Sequence, residues 1–115
     1  MWGWLVSLLK GKKMKRATLI DAVSDNQTGS YVDVEDWIDI TIQINLTGSL
    51  LPTVTIEGTM DTPDTPAQSI KWSTLYTGTP GSAIVSLSGY ALNGLRARTG
   101  SVVGSTTARI LASGR

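Results

Sequence analysis

The chain contains neither cysteine nor histidine. The first absence excludes a disulfide framework and a thiolate zinc site, and fits folding in a cytosolic compartment. The second removes the commonest acid–base side chain and the commonest metal ligand together. A nucleophilic triad needs an oriented base beside its nucleophile. Lys71 beside one of many serines is the remaining substitute, and no spacing joins them. Charged residues are scarce at 17%, yet 41% hydrophobic residues make a globular rather than a disordered chain. No apolar run is long enough to span a bilayer. Trp2 to Leu9, WGWLVSLL, would form a helix of roughly 12 Å at about 1.5 Å per residue, whereas a membrane core takes about 20 residues. The same segment lacks the positive leader and small-residue cleavage site of a secretory signal.

What is present begins with an uneven placement of charge. Lys10, Lys12, Lys13, Lys15 and Arg16 carry five positive charges within seven residues, whereas from Ala17 onward five basic face nine acidic residues, a net of −4. The sequence therefore divides into an apolar and basic N-terminal arm, residues 1–16, and a mildly acidic body, residues 17–115. A length of 115 residues suits one domain with a real core. Two tryptophans and four aliphatics in WGWLVSLL make an association patch if exposed. Trp2, Trp4, Leu5, Leu8 and Leu9 are the expected anchors for docking on a neighbouring subunit. A membrane interface is the second destination for this arm. Met14-Lys15-Arg16 would also serve as a start, which would leave WGWLVSLL untranslated.

The body is organised around Trp37 to Asn45, WIDITIQIN. Ile38, Ile40, Ile42, Ile44 and Leu46 share one face by the two-residue period of a strand, and Trp37, Asp39, Thr41, Gln43 and Asn45 hold the other, wet face. Further alternating segments are expected at 31–34, 53–59, 70–76, 83–88, 95–98 and 106–112, with Ala17–Val23 either a short strand or a helical turn. The strands at 37–46 and 53–59 are expected to pair as a hairpin. Trp72 is the candidate for a large core plug. Glycine- and proline-bearing turns separate the strands, and no long amphipathic helix lies between them, so a parallel sheet with crossover helices is excluded. The expected fold is all-β, an antiparallel β-sandwich of jelly-roll or immunoglobulin-like connectivity.

Chemistry is thin. Asp33, Glu35, Asp36 and Asp39 read as a solvated face rather than a glycosidase pair. Asp61 and Asp64, within the repeated Asp-Thr-Pro of residues 61–66, offer too few oxygens for calcium. Gly100 to Ser105 lacks the lysine and helix of a phosphate loop. No catalytic residue, metal ligand or cofactor is expected. Arg96, Arg98 and Arg109 face outward and are expected to form a small basic stripe. It would meet the acidic face of a neighbouring subunit rather than nucleic acid, because the aromatic interleaving of single-strand binders is missing.

One resemblance joins these pieces. Val54-Thr55-Ile56-Glu57-Gly58-Thr59-Met60-Asp61, then Trp72 and Leu75, Gly89-Tyr90, and Leu95-Arg96-Ala97-Arg98 form a series similar to that of small β-sandwich structural proteins of tailed bacteriophages. Many of these are head decoration or cement proteins. The likeness covers about residues 30–112 and consists of strand and turn residues. It implies a virion protein at the capsid surface that stabilises the shell by contacts with the major capsid protein or another virion protein. It also implies a homo-oligomer, with trimers among the forms. The arm departs from the pattern and leaves a connector or tail component open. Two alternatives stand beside it: a glycan- or surface-binding module using Trp37, Trp72 or Tyr90, and membrane attachment through residues 1–16.

Overall fold

A computed structural model describes residues 15–23, 27–48, 51–79, 81–87, 92–100 and 107–114. Among these lie nine strands: β1 (Lys15–Val23), β2 (Gln27–Thr28), β3 (Val32–Asp33), β4 (Ile40–Thr47), β5 (Val54–Thr59), β6 (Ser73–Gly78), β7 (Ser82–Leu87), β8 (Gly94–Thr99) and β9 (Thr107–Gly114). A single 3₁₀ turn, Ala67–Ser69, precedes β6. One sheet has the order β1-β9-β4-β7, and the other has β2-β8-β5-β6 with β3 also on β8.

β2 and β3 lie along the same edge of β8. Thr28 is opposite Arg98 and Val32 is opposite Leu95, and Gly29 N donates to Ala97 O at 2.7 Å between them. They are one strand interrupted at residues 29–31. Counted so, the nine strands become eight, with orders 1-8-3-6 and 2-7-4-5. The chain is then a long hairpin, β1 with β9, β2/β3 with β8, β4 with β7 and β5 with β6, all antiparallel. It rolls up so that β4 meets β9 and β5 meets β8. This is jelly-roll connectivity, which decides between the two expected alternatives.

β4 forms where β-branched residues alternate with polar ones. Ile40, Ile42, Ile44 and Leu46 are buried, while Gln43 and Thr47 are exposed. They meet Leu19, Val34, Val54, Ile56, Leu87, Leu95, Ala97, Ala108, Ile110 and Ala112 in one core. Each fully buried isoleucine, Ile42, Ile44, Ile56 and Ile110, contributes roughly 1.5–3 kcal/mol over its exposed state.

Four expectations are corrected. β4 and β5 do not pair: they lie in different sheets, because the connection between them carries the chain across the sandwich. Ile38 does not extend the buried row. It is 66% exposed, and the following Asp39 has a φ of 55°, which turns the backbone before the ladder begins at Ile40. Trp72 is no core plug; it precedes β6, half-buried, and its ring packs against Tyr31 and Arg96. Lys15 and Arg16, read as the end of the arm, are the first residues of β1, paired with Gly114 and Ser113 of β9. Trp37 packs against the core and over Gly114.

Candidate functional site

The outer face of the β2/β3-β8-β5-β6 sheet carries a chain of polar and aromatic contacts. β8 buries Leu95 and Ala97, so the pleat turns Arg96 and Arg98 outward, as expected. β5 turns Glu57 to the same side, directly opposite Arg96. Arg96 Nε donates to Glu57 Oε1 at 2.7 Å, and Arg98 Nε donates to the same oxygen at 3.0 Å. Arg98 Nη2 reaches Glu57 Oε2 at 3.3 Å. The Glu57 side chain is 8% exposed, against 26% for Arg96 and 45% for Arg98. A buried carboxylate needs hydrogen-bond partners, and two guanidinium groups supply them.

The chain of contacts continues through aromatic rings. The Arg96 guanidinium lies 4.3 Å from the Trp72 ring centroid, within cation–π range. Trp72 meets Tyr31 edge-on at 5.7 Å and 65°. Tyr31 Oη donates to Asp61 O at 2.8 Å, and the Asp61 carboxylate accepts from Lys71 N at 2.7 Å. The proline-rich loop is thereby held down on the sheet edge. Burial raises the Tyr31 pKa, reinforced by the carboxylates of Asp33, Glu35, Asp61 and Asp64. Asp64 is held low mainly by the Thr62 hydroxyl, and Asp36 mainly by a hydrogen bond from Lys15. Among the described residues no group of three or more carboxylates could hold a metal ion.

The opposite sheet presents an open groove of ≈ 590 Å³ on its outer face. Arg16, Thr18, Gln43, Ile84, Arg109 and Leu111 are among its lining residues. Arg109 belongs here, on β9, with its Nε 3.7 Å from Asp21 Oδ1. The expected stripe of Arg96, Arg98 and Arg109 is therefore divided between two sheets facing opposite ways, and two of its members are engaged with Glu57. The reason is topological: β8 and β9 follow one another in the chain but belong to different layers. The other expected anchors, Trp2, Trp4, Leu5, Leu8 and Leu9, and also Tyr90, lie outside the described residues. Sequence reasoning missed Glu57, Tyr31 and Ile84. For Glu57 the available signal was an acid at an outward strand position with Arg-Ala-Arg on another strand.

The described strands define a jelly-roll β-sandwich whose outer faces carry contacts and a groove rather than an enclosed pocket. No family of known proteins matches the chain, and no curated protein sequence matches it. Among solved structures, the SPBc2 prophage-derived protein YomS shares the fold, with a TM-score of 0.63 over 88% of this chain and 93% of that one. Identity between the two is 11%.

Proposed function

We propose that this protein is a structural component of a tailed-phage particle, acting by burying its surface against neighbouring virion proteins. The observation that carries this reading is the match of nearly the whole fold to a prophage-derived protein. The strand series of residues 54–98 supports it. The finer reading is a decoration or cement protein on the capsid surface. It would bind the assembled shell in preference to free subunits, and so stabilise the assembly by mass action. In that role the segment before β1, residues 1–14, supplies the anchors Trp2, Trp4, Leu5, Leu8 and Leu9, and Arg109 offers an exposed cation on the grooved face. The body is scaffold rather than catalyst, since its most buried carboxylate among the described residues, Glu57, is engaged by two arginines.

The test uses particles of the phage whose genome carries the gene. Mass spectrometry of purified virions should find the chain in a fixed ratio to the shell protein, and gold-labelled antibody should decorate heads. Particles lacking the gene should release their genome at lower temperature. Added full-length chain should restore them, and the Trp2→Ser/Trp4→Ser variant should not. Absence from purified particles would overturn the structural-virion reading. Label confined to tails would overturn the decoration reading alone.

A further inference from the structure

We propose that the outer edge of β7 is a self-association site, where two copies pair β7 to β7 antiparallel about a two-fold axis at Ile84. The two β1-β9-β4-β7 sheets then become one continuous sheet.

Exposed sheet edges invite pairing, and natural proteins blunt them with charge, bulges, proline or short strands. The described strands leave four sheet edges, and three of them are blunted. β1 carries Lys15, Arg16 and Asp21, and its register against β9 shifts twice. The β2/β3 edge is broken into two-residue pieces. β6 has a register shift opposite Ile56/Glu57 and follows Lys71. β7 has none of these devices. Its register against β4 is unbroken from Ser82 to Leu87, it contains no proline, and residues 72–95 carry no charge at all.

The backbone groups at this edge can be assigned. Leu46 N donates to Gly81 O at 2.7 Å, one step beyond the Asn45–Ser82 pair. Opposed residues in an antiparallel ladder alternate between bonded and non-bonded pairs. Ala83, Val85 and Leu87 therefore bond to β4, and the N–H and C=O groups of Ser82, Ile84 and Ser86 turn toward the edge. The side chains of these three residues are exposed on the outer face, Ile84 at 72%.

A two-fold axis at Ile84 sets Ile84 opposite the partner's Ile84, and Ser82 opposite the partner's Ser86. Each such pair exchanges both of its N–H···O bonds. The isoleucines meet as a β-branched cross-strand pair on the outer face, and the flanking serines are small enough to avoid a clash. The occupant is a second copy because of the missing charge. Across a two-fold axis a patch meets itself, so any charge near the axis would meet its like. A charge-free edge is what self-pairing requires, whereas a charged partner finds nothing complementary there. The groove reaches Ile84 and so ends at the proposed seam. The pairing does not depend on the phage reading, and its test needs no particle.

Sedimentation of the full-length chain should show a reversible monomer–dimer equilibrium. Ile84→Lys, which places like charges at the axis, should weaken it by at least about tenfold with an unchanged far-ultraviolet dichroism spectrum. Mixing Ile84→Lys with Ile84→Glu should restore the dimer, as a two-fold contact requires. The chain has no cysteine, so Ile84→Cys under oxidised glutathione should give a disulfide-linked dimer. Gln43→Cys, exposed on the same face one strand inward, should not. A chain monomeric at every concentration, an odd-numbered assembly, or equal cross-linking by the two cysteine variants would overturn the proposal.

Discussion

Glu57 and Arg96 face one another across β5 and β8, and the arginine Nε donates to Glu57 Oε1 at 2.7 Å. Arg98, one step of the pleat further along β8, shares the same oxygen. The carboxylate is therefore the buried centre of a pair of arginines, and Arg96 in turn packs on Trp72. This one relationship ties the middle of a sheet to the loop that precedes β6. It also explains why a glutamate can lie among threonines on a nearly covered strand.

Glu57→Gln should cost about 1–2 kcal/mol, because it removes the charge that two guanidinium groups share while keeping the shape. The arginines are partly exposed, so solvent screening holds the cost below that of a fully buried pair. A double-mutant cycle of Glu57→Gln with Arg96→Ala, measured by urea unfolding, should return a coupling of about 1 kcal/mol. Additive losses would mean that the 2.7 Å contact contributes no energy of its own.

The pKa of Tyr31 is raised in the folded protein by burial and then by four neighbouring carboxylates. The folded state thus holds the phenolic proton more tightly than the unfolded state does. Its contribution is complete below the ordinary tyrosine pKa of about 10 and is lost as pH rises through the raised value. Urea midpoints measured from pH 8 to pH 11 should fall, and Tyr31→Phe should fall less steeply. Parallel slopes for the two proteins would refute the assignment. At pH 8 the phenylalanine variant should be about 1 kcal/mol less stable, from loss of the bond to Asp61 O.

Two glycines sit where a neighbour leaves no room. A Cβ at Gly29 would lie 2.4 Å from the Leu19 carbonyl oxygen, and one at Gly94 would lie 2.4 Å from Tyr31 Cζ. The first obstacle is backbone joining the two layers; the second is the far part of a side chain that can swing away. Gly29→Ala should therefore cost about 2–4 kcal/mol and Gly94→Ala about 1–2 kcal/mol. Thermal unfolding of the two variants should preserve that order. Gly94→Ala should also change tryptophan fluorescence, because displacing Tyr31 disturbs its contact with Trp72.

The strands were legible because their burial follows period two. Ile40 to Leu46, Leu95 to Ala97 and Ala108 to Ala112 all bury the residues that alternation selects. What stayed hidden was which strand meets which. Alternation says where a side chain points but carries no address for its partner, so β4 and β5 looked like a hairpin although the roll sends them to opposite layers. The arginine stripe failed for the same reason. Trp72 was misplaced because its size argues for burial, whereas Arg96 and Tyr31 supply cover on an outer face instead. The open edge of β7 was not legible from alternation, because only the sheet order shows that one side lacks a strand among those described.

The start of β4 provides the last test, because local pattern and local backbone disagree there. Ile38 fits the apolar row by spacing, yet Asp39 adopts φ 55° and Ile38 faces solvent. A positive φ is accessible to aspartate and asparagine but strained for a β-branched residue. Asp39→Val should therefore destabilise the protein by about 1–2 kcal/mol, despite raising strand propensity. Asp39→Gly should stay within about 0.5 kcal/mol of the parent, since relief of strain offsets the added freedom of the unfolded chain. Ile38→Ala should be nearly neutral, while Ile40→Ala, two residues on and 3% exposed, should cost about 2–4 kcal/mol. Urea unfolding of the four variants checks the set. Equal losses at Ile38 and Ile40 would mean that the strand begins before the turn, with Ile38 in the core.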